Sequence, residues 1–531
     1  MKTISIYDTT LRDGAQRERL SFSLTDKLKI TQWLDALGID FIEGGWPGSN
    51  PKDREYFERV LDLDLDHSQI AAFGSTRRAS IAVEDDANVS ALLAARTPVI
   101  TVFGKSWRLH VAEVLGTTPE ENLRMISETV RYLCDAGRRV IYDAEHFFDG
   151  YRDNSAYALE TLQAAEEAGA EVIVLCDTNG GMLPSQIQSM VTATQHAMAA
   201  PLGIHAHNDM ETAVAATIAA VEAGVVHVQG TINGYGERCG NANLCSIIPT
   251  LQLKMQANCL NDDQLSRLSE TAYVISELAN QRLNPHLAYV GDSAFAHKGG
   301  AHVDALRKCV DTYQHVDPSR VGNRSRIVIS ELAGRSNVLH KAEEYGLSLG
   351  SRDTVSTVLS QIKELEGRGF QFEGAEGSVE LMMRRTEPEY VAPFELLDFH
   401  VLIRSGDDGA MVSEATVKVR VGEQTMHTAT DGIGPVNALD AAIRKALLPS
   451  YPYLDMVRLT DYKVRILDGN AGTSAQTRVL ITSSDGSRSW STVGCSSNII
   501  EASWIALADA LEYALHPSPS TVGVLSKGQH L

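Results

Sequence analysis

The stretch LGIHAHND (residues 202–209) is a short apolar run that ends in two histidines. Its alternating apolar residues predict a buried β-strand. Residues i and i+2 of a strand point the same way, so His205 and His207 face one point. Two converging imidazoles can bind a divalent cation, but they can also be hydrogen-bonded members of a core. The rest of the chain has to decide between these two interpretations.

Seven other stretches within the first 250 residues show the same pattern, in which an apolar run is followed by a Gly- or Asp-rich loop and then by an amphipathic stretch. Eight strands, each followed by a helix, predict an α/β fold with an N-terminal (β/α)8 TIM barrel, for which about 250 residues is typical. A doubly wound sheet is the alternative, but no G-x-G-x-x-G follows the first run. The seven runs are TISIYD, DFIEGG, IAAFGS, VITVFG, RVIYDAE, VIVLCDT and HVQGTI.

The composition excludes several classes of partner. The 531 residues include 47 basic and 68 acidic side chains, a net charge of -21. This balance argues against nucleic acid or an anionic membrane surface as the main partner. No signal peptide is expected, since the first residues are polar, and no apolar run approaches the roughly 18 to 20 residues that span a membrane. Seven scattered cysteines without a C-x-x-C indicate reduced thiols and a cytoplasmic protein.

Three domains are predicted along the chain. Residues 1–275 form the TIM-barrel catalytic domain, and residues 276–390 form mostly helical linker subdomains. The segment RRTEPEYVAPFELLDF (384–399) reads as a linker because it has two prolines and mixed charge. In residues 391–531 the order strand, strand, helix occurs twice, which predicts a duplicated α+β domain for regulation or dimerisation. The tail from Pro517 onward is polar and is expected to fray.

Polar residues lie at the ends of several predicted barrel strands. Arg12 and Asp13 follow the first run, Glu145 ends the fifth, Thr178 ends the sixth, and Asn241 follows the eighth. In a TIM barrel these ends meet at one face, where the chemistry takes place. Each residue alone is a weak signal, since polar residues are common in turns. Together with the two histidines they favour a divalent-metal site over a polar core.

Three motifs resemble the signatures of one enzyme family. YDTTLRDGAQ, GIHAHND and NGYGERCGNANL are similar to those of the 2-isopropylmalate, homocitrate and citramalate synthases, and the resemblance covers nearly the whole chain. Members of this family are metal-dependent TIM-barrel acyltransferases that condense acetyl-CoA with a 2-oxo acid. FIEGGWPGSNPKD (41–53) resembles the citramalate branch, which implies acetyl-CoA and pyruvate as substrates and (R)-citramalate and CoA as products, in isoleucine biosynthesis. 2-Isopropylmalate synthase and homocitrate synthase remain alternatives.

The resemblance also implies the site residues. The divalent metal, Mn²⁺, Mg²⁺ or Zn²⁺, is expected on Asp13, His205 and His207, with Asn241 nearby or as a fourth ligand. Residues expected to contact the 2-oxo acid and take part in catalysis are Arg12 and Glu145, with Thr178 as a further substrate contact.

The resemblance places the proton-abstracting histidine of the family on His302 and its paired tyrosine on Tyr313. Two departures bear on these assignments. His146 stands where the family often has an aspartate, and AHKGGAH replaces the commoner SGIH before His302. The second departure leaves the geometry around His302 open.

Two other classes of function compete with a condensing enzyme. Metal-dependent barrel hydrolases commonly carry H-x-H on the first strand, which here ends in Arg-Asp. A non-catalytic amino-acid sensor would not need polar groups at five strand ends. The resemblance further implies a homodimer whose C-terminal domain binds an end-product amino acid, isoleucine. The turns DGIGP (431–435) and GCSSN (494–498) precede predicted helices, whose N–H groups could hold its carboxylate.

Overall fold

The computed structural model describes residues 2–405 and 411–516. It divides into two compact units. The first comprises the chain up to Phe295 together with Val316–Ser325, and the second comprises Ala296–His315 and the chain from Arg326 onward. The three-domain division drawn from the sequence stays a prediction, and the tail from Pro517 lies outside the described residues.

The first unit contains a closed barrel of eight parallel strands, each paired with its neighbours in chain order and the first paired with the last. The predicted TIM barrel is therefore confirmed, and all eight predicted runs are strands. The strands are β1 (Ser5–Asp8), β2 (Phe41–Gly45), β3 (Gln69–Ser75), β4 (Val99–Lys105), β5 (Arg139–Glu145), β6 (Val172–Asp177), β7 (Leu202–Ala206) and β8 (His227–Gly230).

The helices of this unit cover the outside of the barrel. Local sequence sets their ends: Ser23 and Asp26 form a capping box at the start of α1, which ends at Gly38 with φ 89°. The helices are α1 (Leu24–Leu37), α2 (Pro51–Val60), α3 (Ala87–Ala94), α4 (Arg108–Glu113), α5 (Pro119–Asp135), α6 (Phe147–Asp153), α7 (Ser155–Glu167), α8 (Pro184–Gln195), α9 (Ala213–Glu222), α10 (Leu244–Leu253), α11 (Asp262–Leu265) and α12 (Leu268–Leu278).

The barrel interior is a packed core, so it leaves room for a ligand only near its mouth. Buried side chains from six of the strands fill it, and the ring of His227 lies against two of them, Tyr7 and Phe41. The filling residues are Tyr7, Phe41, Ala71, Val99, Ile141, Val174 and Cys176.

The second unit begins with short strands and helices and continues into two antiparallel sheets. Its elements are β9 (Ala296–His297), α13 (Gly300–Lys308), β10 (Arg326–Ile327), α14 (Arg335–Glu344), α15 (Arg352–Gly367), α16 (Glu376–Arg384), β11 (Glu395–Ser405), β12 (Met411–Val421), β13 (Gln424–Gly432), α17 (Pro435–Leu447), β14 (Arg458–Ile466), β15 (Thr477–Ser484), β16 (Ser489–Ser496) and α18 (Ile499–Leu515).

The duplicated α+β domain is confirmed, but the predicted order within each half is wrong. Each half has three antiparallel strands before its helix, because β13 extends the sheet of β11 and β12, and β16 extends that of β14 and β15. β13 is rich in Thr, Gln and His and lacks a buried residue, so its sequence lacks an apolar strand signal. β11 also begins at Glu395, inside the predicted linker.

The two C-terminal helices share one core. Leu439 and Ile443 of α17 are buried in the same cluster as Trp504 and Leu507 of α18, as their helical spacing predicts. Within residues 2–405 and 411–516, the structure has no helix that combines the length and the apolar character needed to cross a membrane.

Candidate active site

Asp13, His205 and His207 meet at the mouth of the barrel. Nε2 of His205 lies 3.2 Å from Oδ2 of Asp13, and Nε2 of His207 lies 3.6 Å from the same oxygen. The two Nε2 atoms are 3.1 Å apart. One potential ligand atom from each of the three buried residues falls within 4.8 Å of the others. The i, i+2 spacing of the histidines thus produces the convergence expected from the sequence.

The barrel strands place these groups. Asp13 lies in the turn after β1, where the hydroxyl of Thr9 accepts a hydrogen bond from its backbone N–H. His205 lies on β7, and His207 follows directly after it. Since β1 and β7 both neighbour β8, their carboxyl ends bring the carboxylate and the imidazoles together.

Asn241, in the loop after β8, contacts two of these three residues. Its Nδ2 donates to Oδ2 of Asp13 at 2.9 Å and lies 3.2 Å from Nε2 of His205. Its Oδ1 is buried and has no hydrogen-bond partner among the described residues. If the amide rotated by half a turn, this oxygen would point toward Asp13 and His205. That orientation would be favourable only if a cation lay between these groups. A carboxylate, two imidazoles and an amide oxygen fit a divalent metal.

The position of Arg238 is not compatible with a metal on His207. Its Nη2 lies 3.0 Å from Nδ1 of His207 and also donates to the carbonyl of Thr178. A guanidinium only donates, whereas a metal on Nε2 of His207 requires a proton on Nδ1. Arg238 must therefore turn away from Nδ1 when a metal binds there, and its ion pair with Asp209 at 2.7 Å can hold it nearby.

Charge in the site is balanced by close pairing. Burial by itself raises the pKa of Asp13, but Arg12 and hydrogen bonds from His205 and His207 outweigh it, so that this pKa lies well below its usual value. Burial lowers the pKa of His205, and the Asp13 carboxylate reverses this, so the net pKa is raised. Asp13 is thus an ionised carboxylate, the form that binds metal.

Arg12 is held in one position from two sides. Its Nε donates to Oε1 of Glu43 at 2.5 Å, and its guanidinium carbon lies 3.7 Å above the ring of Phe73. Glu43 is fully buried and also accepts hydrogen bonds from Tyr7 and Thr9. The guanidinium is therefore fixed beside Asp13, its Nη1 lying 3.6 Å from that carboxylate.

A cavity of about 270 Å³ opens next to these groups. Three aromatic rings form one wall: the rings of Phe73 and Phe103 stack at 5.3 Å, and Trp46 packs edge-on against both. Trp46 is fixed by its indole N–H, which donates to Asn88 at 2.6 Å. Other lining residues are Arg12, Asp13, Gln16, Asp143, Glu145, Cys176, Thr178, His205, His207, Glu237 and Arg238.

Glu145 and Thr178 both line this cavity, and their contact with a 2-oxo acid stays a prediction. Lys105 pairs with the Glu145 carboxylate. The hydroxyl of Thr178 accepts a hydrogen bond from the backbone N–H of His146 at 2.9 Å, so its own proton is free to point into the cavity. His146 has φ 58°, a left-handed conformation that non-glycine residues rarely adopt.

His302 and Tyr313 lie in the second unit. Their rings stack with centroids 4.2 Å apart, so the two residues paired in the sequence analysis are in contact. Their role in the chemistry of the barrel stays a prediction.

The polar residues of the barrel mouth that the sequence analysis did not identify include Glu43, Asp143 and Gln229. All three are buried. Burial raises the pKa of Asp143 to about 7. The signal for them was a polar residue inside an otherwise apolar strand run, as in FIEGG, VIYDAE and HVQG. Such a residue is expensive to bury and is retained where a partner needs it.

Three family matches cover most of the chain. Residues 3–273 match the family described as HMGL-like. Residues 289–369 match the homocitrate synthase post-HMGL domain-like family, and residues 373–515 match the LeuA allosteric (dimerisation) domain.

Whole-length relatives are also similar. An (R)-citramalate synthase of Geobacter sulfurreducens is 51% identical over 98% of this chain and 99% of that protein. An (R)-citramalate synthase of Synechocystis sp. is 53% identical over 96% of each chain. A 2-isopropylmalate synthase of Methanocaldococcus jannaschii is 28% identical over 96% of this chain and 95% of that protein.

Removal of a metal ligand is the first test of this site. We expect His207→Ala to abolish turnover and to weaken the binding of a divalent metal by more than about 100-fold. Loss of a residue that only hydrogen-bonds to a metal ligand costs up to roughly that factor. Calorimetric titration of the metal-free protein measures the affinity. The control is His196→Ala, which removes an exposed imidazole on the outside of the barrel. Unchanged metal affinity in His207→Ala would contradict the assignment.

The second test concerns the fixation of Arg12. Glu43→Gln keeps the shape but removes the charge that holds the guanidinium, so we expect kcat to fall by about 10²–10³-fold, as on loss of a transition-state donor, with little change in metal affinity. The matched control is Glu171→Gln, whose partner Arg139 lies at the other end of the barrel. An unchanged kcat in Glu43→Gln would show that Arg12 does not need this partner.

Proposed function

The chain belongs to the HMGL-like family and, within it, to the (R)-citramalate synthases, and from this we propose that it condenses acetyl-CoA with pyruvate to give (R)-citramalate and CoA. The observation that carries the proposal is the identity of 51–53% to (R)-citramalate synthases over nearly the whole chain. The barrel-mouth site supports it, because carboxylate, imidazole and guanidinium groups converge on one cavity beside an aromatic wall.

The reaction needs an electrophilic ketone and a deprotonated acetyl methyl group. A divalent metal on Asp13, His205 and His207 would supply a Lewis acid that polarises the ketone of the 2-oxo acid. Arg12, whose Nη1 lies 3.6 Å from Asp13, is proposed to stabilise the negative charge that develops on the ketone oxygen. The free hydroxyl proton of Thr178 can donate to the carboxylate of the 2-oxo acid.

The base is proposed to be His302. A thioester α-proton is weakly acidic, so a positioned base has to take it. The imidazole of His302 accepts this proton, and Tyr313, stacked on it, orients the ring. The methyl carbon then bonds to the ketone carbon, the ketone oxygen takes up a proton, and water cleaves the thioester to release CoA. Glu145, which lines the cavity, is proposed to position the 2-oxo acid.

The aromatic wall supports pyruvate as the 2-oxo acid. Trp46, Phe73 and Phe103 line one side of a cavity of about 270 Å³, and these rigid rings are proposed to leave room for the methyl group of pyruvate and to exclude a branched side chain. The proposed ion is Mn²⁺, Mg²⁺ or Zn²⁺, and the mixed imidazole and carboxylate set accepts each of these to a different degree.

The C-terminal domain carries assembly and regulation in this proposal. The match to a dimerisation domain supports a homodimer, and the proposed effector is isoleucine. The seven cysteines, all free thiols, support a reducing compartment, the cytoplasm.

The two Gly-rich turns differ in what they can offer a ligand. At the start of α18, Oδ1 of Asn498 already accepts hydrogen bonds from the N–H groups of Ile500 and Glu501. At the start of α17, the cap residue is Gly434, and no side chain among the described residues caps it. The free N–H groups of α17 are therefore the better place for the carboxylate of the effector.

Release of free thiol from acetyl-CoA tests the activity. We expect release to need both pyruvate and a divalent metal and to yield (R)-citramalate, with kcat/KM for pyruvate exceeding that for 2-oxoisovalerate. Trp46→Ala should reduce the ratio of these two kcat/KM values by roughly 10- to 200-fold, which is the discrimination that a pocket achieves for a small difference in side-chain size. Trp33→Ala, outside the cavity lining, is the control. A native preference for 2-oxoisovalerate would move the chain to 2-isopropylmalate synthesis, and release without a 2-oxo acid would indicate a hydrolase.

The effector site is tested at Gly434, where an added Cβ meets no atom within 4 Å. Gly434→Asp adds a carboxylate cap at the start of α17, so we expect it to remove isoleucine inhibition while turnover without effector is kept. Gly434→Ala, which adds no cap, should keep the inhibition. Initial rates against isoleucine and against leucine measure both effects. Inhibition of Gly434→Asp equal to that of the native enzyme would place the effector elsewhere, and inhibition by leucine alone would contradict the assigned pathway.

A further inference from the structure

Gln229 links one metal-site histidine to a carboxyl group on the far side of the barrel mouth. The residue lies on β8 and is fully buried. Its Oε1 lies 2.8 Å from Nδ1 of His205, and its Nε2 donates to Oδ1 of Asp143 at 3.0 Å. The two contacts use both ends of one amide.

The direction of the hydrogen bonds that connect Asp143, Gln229 and His205 follows from the chemistry of these side chains. Oδ1 of Asp143 accepts a hydrogen bond from the NH₂ end of the Gln229 amide. The carbonyl end therefore faces His205, and Nδ1 of His205 has to be the donor. When His205 gives up the proton that its Nε2 shares with Asp13, the remaining N–H is the one on Nδ1, and Nε2 carries a lone pair. That nitrogen is the one that lies 3.2 Å from Asp13.

The second histidine has no such arrangement. Nδ1 of His207 faces Nη2 of Arg238, a donor, at 3.0 Å. Of the two imidazoles, only His205 is therefore already held with Nδ1 on an acceptor and Nε2 toward the cluster. Fixing one ligand in advance lowers the cost of ordering when a metal binds.

We propose that Gln229, itself oriented by Asp143, is a positioning residue that locks His205 in the tautomer that binds metal. The inference rests on the proposed metal site, and it is independent of which 2-oxo acid the enzyme uses. The tautomer of His205 is set before any metal arrives, so the effect can be measured on the metal-free protein.

Nitrogen chemical shifts of the metal-free protein, labelled with ¹⁵N-histidine, report the tautomer directly. The signal missing in His205→Gln identifies the residue. At a pH where His205 is neutral, we expect Nδ1 to carry its proton in the native protein, and Gln229→Met, which removes the acceptor, to relax this preference. A neutral His205 with its only proton on Nε2 in the native protein would overturn the proposal, whatever the enzyme's substrate.

Metal titration supplies the second readout. We expect Gln229→Met to lower the affinity for Zn²⁺ by about 10–100-fold, as for other outer-shell partners. Gln229→Glu keeps an oxygen acceptor at Nδ1 and should bind Zn²⁺ nearly as tightly as the native protein. Thr101→Val, which removes another buried hydrogen bond inside the barrel, controls for a merely structural effect, and thermal midpoints in chelator check folding.

The outcomes separate this inference from the proposed metal site. Equal affinity in the native protein and Gln229→Met overturns the inference, provided that His207→Ala binds weakly. Equal affinity in the native protein and His207→Ala overturns the proposed metal site itself. If Gln229→Met does not fold, loss of affinity in Asp143→Asn supports the inference, and the ¹⁵N measurement on the native protein remains decisive.

Discussion

The approach of two imidazoles to one buried carboxylate at the mouth of the barrel is the interaction on which the site depends. Oδ2 of Asp13 lies 3.2 and 3.6 Å from the two Nε2 atoms, and these nitrogens are 3.1 Å from each other. Ionised carboxylates and histidine lone pairs are expensive to collect in a buried place unless a cation joins them. Three further residues contact this cluster. Arg12 lies beside Asp13, Asn241 contacts Asp13 and His205, and Gln229 contacts the other nitrogen of His205.

The barrel explains why these groups meet although they are far apart in the sequence. Parallel strands deliver their carboxyl ends to one face, so turns after β1, β7 and β8 become neighbours. The packed interior below closes the site, and the rings of Trp46, Phe73 and Phe103 limit its width. Polar chemistry on one wall and aromatic packing on the other together suit a small 2-oxo acid.

Much of this could be predicted from sequence because the relevant signals are local. Strand periodicity predicted the eight barrel strands, and the i, i+2 histidines with polar strand ends predicted the cluster of Asp13, His205 and His207. Glu43, Asp143 and Gln229 could not be assigned partners, since their hydrogen bonds cross between strands distant in the chain. β13 was missed because its polar residues lack a buried stripe and its pairing with β12 is a tertiary effect. The position of the Trp46 ring is likewise a tertiary effect, because it depends on contacts with Phe73 and Phe103 from other strands.

The central claim is that Asp13, His205 and His207 bind one divalent metal at the mouth of the barrel. Anomalous scattering at the zinc edge from crystals grown with Zn²⁺ tests it most directly. The account predicts one strong peak in each chain, with Oδ2 of Asp13 and the Nε2 atoms of both histidines at about 2.0–2.2 Å from it, and with Arg238 turned away from His207. A peak at other residues, or none at the barrel mouth at saturating Zn²⁺, would contradict the account.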